Sequence, residues 1–183
     1  MGVLAVRYAV WIWRGFILYE LKKTDRVKQL IEITKSNSGI TGPELAKAHI
    51  ELGSLLAEEM NYPADDTTVV AILRGGIFLA QGIYFTLGCK FEIYDPKSGP
   101  FVRPNTKHVI VVDSVINSGK TIFDIATPDI DIACGVINAN TASSVKNNLY
   151  AVRVSENSFV GSNIKKQHGN IGPDTTMRLF NLL

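Results

Sequence analysis

The stretch of sequence that decides the fold runs from residue 108 to residue 121 and reads His108-Val109-Ile110-Val111-Val112-Asp113-Ser114-Val115-Ile116-Asn117-Ser118-Gly119-Lys120-Thr121. Residues 108–112 form a short apolar run rich in valine and isoleucine, which is typical of a strand buried in a parallel sheet. Asp113 follows at the carboxyl end of this strand, and a loop over 113–119 leads into a short helix that Pro128 must end. Ligands of open α/β sheets bind beyond the carboxyl ends of the strands, so we expect the site at this edge.

Strand-like and helix-like segments alternate on both sides of this stretch. Apolar spacing predicts helices over 25–34, 42–60 and 77–87, a weaker helix over 141–148, and further strands over 68–73, 90–94, 132–137 and 149–154. Asp25 is a candidate cap of the first helix, Thr41 and Glu44 match a capping box, and Gly88 is expected to close the third. Residues 95–107 and 155–173 resemble loops. The alternation predicts an α/β fold with a mainly parallel twisted sheet flanked by helices.

Length, composition and charge restrict the class of protein. The 183 residues are 46% hydrophobic, which suits one domain with a substantial core and excludes intrinsic disorder. The net charge of +2 argues against a nucleic-acid-binding surface, which is usually strongly basic. Cys89 and Cys134 form no C-x-x-C pattern, so we expect neither a disulfide framework nor a zinc site. A location in the reducing cytoplasm is the simplest interpretation of this cysteine usage.

The most apolar stretch lies at the start of the chain. Arg7 and Arg14 interrupt it, so it lacks the roughly 20 apolar residues of a membrane-spanning helix, and we expect no membrane partner. Residues 1–24 are predicted to form an apolar arm that packs on a domain of residues 25–183 or on a second copy of the chain. A homo-oligomer is therefore the expected assembly. The expected anchors of the arm are Trp11, Trp13, Phe16 and Leu18.

The turn after Asp113 has the chemistry of a phosphate site. Backbone N–H groups at a helix start, with hydroxyls beside them and Gly119 allowing close approach, suit a phosphate monoester. Asp113 can accept hydrogen bonds from sugar hydroxyls. Two alternatives remain: a Walker A loop, although its first glycine would fall on Ser114, and an ordinary strand–turn–helix with a surface aspartate.

Residues 109–121 resemble the phosphoribosyl-pyrophosphate (PRPP) loop of the type I phosphoribosyltransferases. That pattern is an apolar strand, one or two acidic residues, a short loop, and then T/S-G-x-T/S. The single acid in Asp113-Ser114 is similar to the uracil phosphoribosyltransferase branch. Segments 40–56, 70–76 and 172–180 resemble the same branch in the same order, so the likeness covers roughly residues 25–183.

The resemblance implies transfer of the phosphoribosyl group from PRPP to a nucleobase, with Mg²⁺, and for this branch the conversion of uracil to UMP and pyrophosphate. Asp113 and Arg74 would carry the catalytic roles, by holding the ribose and the pyrophosphate. The implied PRPP-binding residues are Arg74, Gly75, Asp113, Ser114, Val115, Ile116, Asn117, Ser118, Gly119, Lys120, Thr121 and Asp174. The implied base-binding residues are Gly172, Pro173, Asp174 and Thr175, and Asp174 is also a candidate Mg²⁺ ligand.

Several alternatives stay open at this stage. The family's active-site loop begins with Tyr-Arg, the matching pair here is Tyr94-Asp95, and Lys97 or Arg103 could substitute for the arginine. A PRPP-binding regulatory module with little or no turnover is therefore the second hypothesis, and a phosphoribosyltransferase for another base is the third. Arg74 could instead serve a surface ion pair, and Asp174 could instead cap a turn. The three histidines, including His49, are expected to have no acid–base role.

Overall fold

The computed structural model describes residues 8–13, 16–157 and 160–183. Its strands are β1 (Tyr8–Trp13), β2 (Phe16–Leu21), β3 (Thr67–Ile72), β4 (Lys90–Tyr94), β5 (His108–Ile116), β6 (Ile130–Asn138), β7 (Leu149–Ser155), β8 (Val160–Ser162) and β9 (Ile171–Pro173). Its α-helices are α1 (Asp25–Thr34), α2 (Gly42–Ala57), α3 (Ile77–Leu87), α4 (Lys120–Ile125), α5 (Ala139–Ala142) and α6 (Thr175–Leu179).

One large sheet organises these elements, in the strand order β1-β2-β7-β6-β5-β3-β4. Every neighbouring pair in it is parallel except β1 and β2, which form an antiparallel hairpin at one edge. β8 and β9 form a separate parallel pair. The prediction of an α/β fold with a mainly parallel sheet flanked by helices is confirmed.

Alternate residues of the central strands enter two apolar cores, one on each face of the sheet. Ala71 and Val112 pack with residues of α1, α2 and α3. Val70 and Val111 pack on the opposite side with residues of α4. A strand covered on both faces needs an apolar side chain at every position, which is why 109–112 is a continuous apolar run.

Two glycines let α2 and α3 pack unusually close together. A Cβ atom added at Gly82 would lie 1.9 Å from the carbonyl oxygen of Ile50, and one added at Gly53 would lie 2.1 Å from that of Leu79. Any side chain at either position would force the helices apart. Because α3 packs on β3 and β5, this close contact also positions α2, and His49 on it, relative to the sheet.

The start of the chain extends the sheet. β2 pairs in parallel with β7, with Leu18 opposite Leu149, and Leu18 packs on the core that includes Leu149. The side chains of the other three expected anchors, at 11, 13 and 16, lie outside the part that the structure describes. The domain division at residue 24 and the homo-oligomer remain predictions. None of the described helices has the length and apolar character needed to cross a bilayer.

The helix caps differ from the sequence predictions. The capping box is wrong, because the Thr41 hydroxyl donates to Oδ1 of Asn181 at 3.0 Å and accepts no bond from the start of α2. Thr24, and not Asp25, caps α1, since its Oγ1 accepts from the N–H of Val27 at 3.2 Å. In both cases the capping interaction depends on the path of the chain into the helix, and apolar spacing carries no information about that path.

Some segment bounds also differ. β5 continues past Asp113, because Val115 and Ile116 pair with residues 136 and 137 of β6. The second helix ends at Ala57, and the helix predicted over 141–148 is replaced by the single turn of α5. The segment 155–173 contains β8 and β9, which are too short to be seen as strand patterns. Gly88 closes α3 as predicted, in the left-handed conformation at φ +64°.

Candidate active site

A cavity of about 310 Å³ lies at the carboxyl ends of β3, β5, β6 and β7, beside the end of α1 and the middle of α2, and against β8 and β9. Arg74 and Asp113 both line it, because β3 and β5 are neighbours and parallel. The prediction that these two residues meet at one edge of the sheet is confirmed. The other implied site residues that line the cavity are Gly75, Ser114, Val115, Asn117, Gly172, Pro173, Asp174 and Thr175.

The remaining implied residues of the PRPP loop lie outside this lining. The Ile116 side chain is buried in the core, and the exposed Lys120 Nζ lies 2.7 Å from Asp124 Oδ2. Ser118, Gly119 and Thr121 continue the turn into α4. Their binding roles, which would use main-chain groups, stay predictions.

The turn after β5 is held in place by α5. Gly119 adopts φ +74°, and a Cβ atom there would lie 2.6 Å from the ring of Phe123 and 2.7 Å from Cγ2 of Thr141. The Thr141 hydroxyl donates to the carbonyl oxygen of Asn117. Glycine is therefore required twice, by the left-handed backbone and by the lack of space. The result is a turn in which the Asn117 carbonyl is held by Thr141 while Asn117 itself lines the cavity.

Asp113 occupies the centre of the site. Its Oδ1 accepts from the N–H of Ser114 at 2.7 Å. Burial raises the pKa of Asp113 to about 7, hydrogen bonds from the backbone of Ser114 and Val115 oppose the rise, and the nearby charge of Asp174 adds to it. The carboxyl group therefore changes protonation near neutral pH, as is common for functional groups in clefts.

Three separate segments converge on Asp113. A Cβ atom at Gly75 would lie 2.9 Å from Ser114 Oγ, 3.2 Å from Asp113 Oδ1 and 3.3 Å from Thr176 Oγ1. The turn after β3, the end of β5 and the start of α6 thus pack around one carboxylate. A side chain at Gly75 would close this part of the cavity, so glycine keeps the main chain available to a ligand.

Asp174 caps a helix, as the second alternative for it predicts, and it also lines the cavity. Its Oδ1 caps α6 by accepting from the N–H of Met177 at 2.9 Å. Its Oδ2 lies on the side of Gly161, where an added Cβ atom would be 2.8 Å away. Capping thus uses one carboxylate oxygen and leaves the other for a cation or a hydroxyl group at the cavity.

Arg74 is exposed at the rim, after a cis peptide bond with Leu73. Its guanidinium lies 5.7 Å from the centre of the Phe180 ring, a cation–π arrangement. The alternative of a surface ion pair finds no support within the described residues, where no carboxylate lies within 4.0 Å of this side chain. Arg74 is positioned by an aromatic ring and keeps its donors for another group.

Sequence reasoning missed four features of the lining: His49 on α2, Arg153 on β7, the α1 end at Thr34 and Ser36, and β8 at Val160 and Gly161. His49 is buried, its Nδ1 bonds the carbonyl oxygen of Leu45 at 2.9 Å, and burial lowers its pKa to about 4. Two signals were available. Arg153 is a lone charge in an apolar strand, and His49 shares the apolar helical spacing of Leu45 and Leu52.

Five arginines have described side chains, and they fall into two groups. Three donate to protein oxygens: Arg26 to Glu51, Arg103 to Asp129, and Arg178 to main-chain carbonyls and Ser38. Arg74 and Arg153 have no hydrogen-bond acceptor within the described part of the chain, and both line the cavity. The site therefore holds two guanidinium groups whose donors are directed to no described protein acceptor.

The loop 95–107 contributes nothing to the cavity lining. Arg103, considered above as a substitute for the missing loop arginine, donates to Asp129 at 2.7 Å and to the carbonyl oxygens of Pro104 and Thr106. It fastens the loop to the start of β6, so it does not act as that substitute in this conformation. Lys97 is exposed, and its backbone N–H is bonded to Asp95.

A metal ion at this site would need oxygen atoms from a bound substrate as well as from the protein. The described residues contain no group of three or more His, Cys, Asp or Glu side chains suited to a metal ion. Asp113 and Asp174 nevertheless line the same cavity, and the charge of Asp174 adds to the rise in the pKa of Asp113. Mg²⁺ is commonly bound by one or two carboxylates together with substrate phosphates, so this pair fits that ion.

Comparisons with known proteins establish the fold. No protein-family model matches the chain, and no curated protein matches its sequence significantly. The AQ2163 protein from Aquifex aeolicus is similar in structure, with a TM-score of 0.59, 12% identity, and coverage of 78% of this chain and 91% of that one. So is the adenine phosphoribosyltransferase from Trypanosoma brucei in complex with AMP, pyrophosphate and ribose-5-phosphate, with a TM-score of 0.51, 13% identity, and coverage of 80% and 87%. The chain therefore has the fold seen in a phosphoribosyltransferase.

Proposed function

We propose that this protein transfers the phosphoribosyl group of PRPP to a nucleobase, and that the base is uracil, giving UMP and pyrophosphate. The observation that carries the proposal is the convergence of Asp113, Asn117 at the start of the turn after β5, and Arg74 on one cavity. The fold shared with a phosphoribosyltransferase supports the reaction class. The choice of uracil rests on the sequence resemblance.

In this proposal each residue acts on a separate part of PRPP. Asp113 accepts hydrogen bonds from the ribose hydroxyls, and the turn up to Thr121 offers main-chain N–H groups and hydroxyls to the 5-phosphate. Arg74 and the amide of Gly75 hold the pyrophosphate, since a guanidinium and free N–H groups suit a dense anion. The base lies against residues 172–175.

Catalysis would come from positioning and from stabilising the departing charge. A base displaces pyrophosphate from C1 of the ribose, so no protein nucleophile is required. Asp113 and the free oxygen of Asp174 are the groups that would hold Mg²⁺ beside PRPP. When bound, the ion would neutralise charge on the leaving pyrophosphate.

The test is to mix the protein with Mg²⁺ and PRPP and to offer uracil, cytosine, adenine, hypoxanthine and orotate in turn. We expect nucleotide from uracil. Asp113→Ala should weaken PRPP binding, whereas Asp124→Ala, which changes an exposed carboxylate on α4, should not. Absence of nucleotide from every base would refute the catalytic proposal.

A second candidate function is PRPP binding without efficient turnover. The observation that favours it is the loop 95–107, which adds no residue to the cavity and whose Arg103 is held by Asp129. Loops that close over an active site normally exclude water and complete the site. Calorimetry separates the two candidates, because PRPP binding without product from any base would support the second, and no PRPP binding would reject both.

A further inference from the structure

We propose that Arg153 reads a carbonyl oxygen of the base, so that the site takes an oxo-base and discriminates against one without carbonyl groups. This inference rests on the proposed function and deepens it. None of the residues implied by the sequence resemblance lies on β7, so Arg153 is a new candidate for the specificity of the site.

Arg153 lies at the far end of the cavity from Arg74. The strand order places β6 and β7 on one side of β5 and β3 on the other. Register puts Val115, Val136 and Arg153 in one row across β5, β6 and β7. Two strand spacings separate the backbone of Arg153 from that of β5 by about 10 Å. This is about the reach of a ring attached to a ribose that Asp113 holds, so Arg153 lies where the base would be.

The guanidinium of Arg153 is half-buried and short of partners. No carboxylate lies within 4.0 Å of it in the described part of the chain, and no hydrogen bond joins it to a described acceptor. Burial lowers the pKa of Arg153, and Glu32 acts on it only as a more distant charge. A cation withdrawn from water without an acceptor is unfavourable, so this side chain needs an oxygen atom that no described residue supplies.

The other polar side chains at this end of the cavity already donate their hydrogen bonds to protein acceptors. The Thr34 hydroxyl donates to the carbonyl oxygen of Ile31 at 2.9 Å, and the Ser36 hydroxyl donates to Gln167 at 2.9 Å. His49 uses Nδ1 for the carbonyl oxygen of Leu45, which leaves Nε2 as an acceptor on a neutral ring. Of these side chains, only Arg153 keeps N–H donors available to a base. A lactam edge, with a carbonyl oxygen beside a ring N–H, matches the donor on β7 and the acceptor on α2.

Binding measurements can isolate this contact without requiring turnover. Ribose 5-phosphate, UMP and AMP share the sugar and phosphate, so the ratio of the dissociation constants of ribose 5-phosphate and UMP reports the base alone. We expect calorimetry on the wild-type chain to give tighter binding of UMP than of ribose 5-phosphate. Arg153→Met should weaken UMP by roughly 10- to 100-fold, the usual effect of losing a hydrogen bond from a charged group, and leave ribose 5-phosphate within about twofold. Arg153→Lys should restore part of the loss.

The controls separate this inference from the proposed function. Arg26→Met removes an arginine that is paired with Glu51 outside the cavity, and it should change no dissociation constant. If PRPP and ribose 5-phosphate bind but Arg153→Met leaves UMP binding unchanged, or if AMP loses as much affinity as UMP, the role of Arg153 is refuted and the proposed function stands. If the wild-type chain binds neither PRPP nor ribose 5-phosphate, the proposed function fails and this inference fails with it.

Discussion

Replacing Asp113 with asparagine should remove a pH dependence from the stability of the protein. Burial raises the pKa of Asp113 from 3.8 to about 7. Between these two pH values the unfolded chain has released the proton and the folded chain has kept it. The free energy of unfolding of the wild-type protein must therefore fall as pH rises, by about 1.4 kcal/mol per pH unit. Over about three units the loss amounts to about 4 kcal/mol, and it is complete above pH 7.

Asparagine is the appropriate replacement because it keeps the shape and removes the titration. Its amide oxygen can still accept from the N–H of Ser114, which Asp113 Oδ1 does at 2.7 Å. The stability of Asp113→Asn relative to the wild-type protein should thus rise between pH 4 and pH 7 by about 4 kcal/mol and then stay level. Its affinity for PRPP should nevertheless fall, since a carboxylate accepts two hydrogen bonds from vicinal hydroxyls better than an amide does.

The assay is urea unfolding of both proteins at half-unit intervals from pH 3.5 to 8.5. Asp124→Asn is the matched control, because it makes the same change at an exposed carboxylate that does not line the cavity. Asp174→Asn removes the charge that adds to the pKa shift of Asp113, so the loss of stability should be complete at a lower pH and be smaller in total. A difference between Asp113→Asn and the wild-type protein that does not vary with pH would refute the reasoning, because it would mean that Asp113 titrates like an exposed carboxylate.

Three further substitutions test how the site is held. Arg178→Met should lower the free energy of unfolding by about 3–5 kcal/mol in urea titrations, because the buried guanidinium donates to main-chain oxygens between α1 and α2 that would lose their partners. Gly82→Ala should lower the melting temperature by several degrees, since its Cβ atom would come within 1.9 Å of the carbonyl oxygen of Ile50. Gly119→Ala should cost about 2 kcal/mol or more in the same urea assay and weaken binding of PRPP measured by calorimetry, because φ is +74° and Phe123 occupies the space.

Two of these substitutions have a matched comparison, and each has a result that would contradict it. Gly39 shares φ +74° with Gly119 but has no neighbour within 4 Å of an added Cβ atom, so Gly39→Ala measures the backbone effect alone. If the two variants lose the same free energy of unfolding, the contact of an added Cβ atom with Phe123 does not contribute at Gly119. Arg26→Met breaks an exposed ion pair and should leave stability unchanged, and an Arg178→Met protein as stable as that control would contradict the role given to Arg178. An unchanged melting temperature for Gly82→Ala would show that α2 and α3 can separate without loss.

Much of the fold could be predicted because its signals are local. The run Val109–Val112 is apolar at every position, and a strand buried on both faces requires this pattern. Gly88 ends α3 as expected, since a left-handed residue suits a helix end. The meeting of Arg74 and Asp113 followed from one rule, that the carboxyl ends of neighbouring parallel strands lie at the same edge.

The errors share a different origin. Thr41 and Glu44 match a capping pattern, but the Thr41 hydroxyl bonds Asn181, 140 residues away in the chain. β8 and β9 have three residues each, and they pair with one another across eight residues of intervening chain, so neither carries enough alternation to be recognised. These hydrogen-bond partners are set by which parts of the chain the fold brings together, and local sequence patterns do not contain that information.

The sequence by itself determined the α/β alternation, the strand–turn–helix at 108–121 and the carboxylate at its centre, because hydrophobic period and turn chemistry act over a few residues. Only the tertiary structure decided the base end of the cavity. Arg153 and His49 lie more than 100 residues apart in the chain and line the same cavity because α2 packs on the sheet beside β7. Whether a charged side chain has a partner depends on the residues around it in space. Only the tertiary structure could show that Arg153 has no hydrogen-bond acceptor among the described residues.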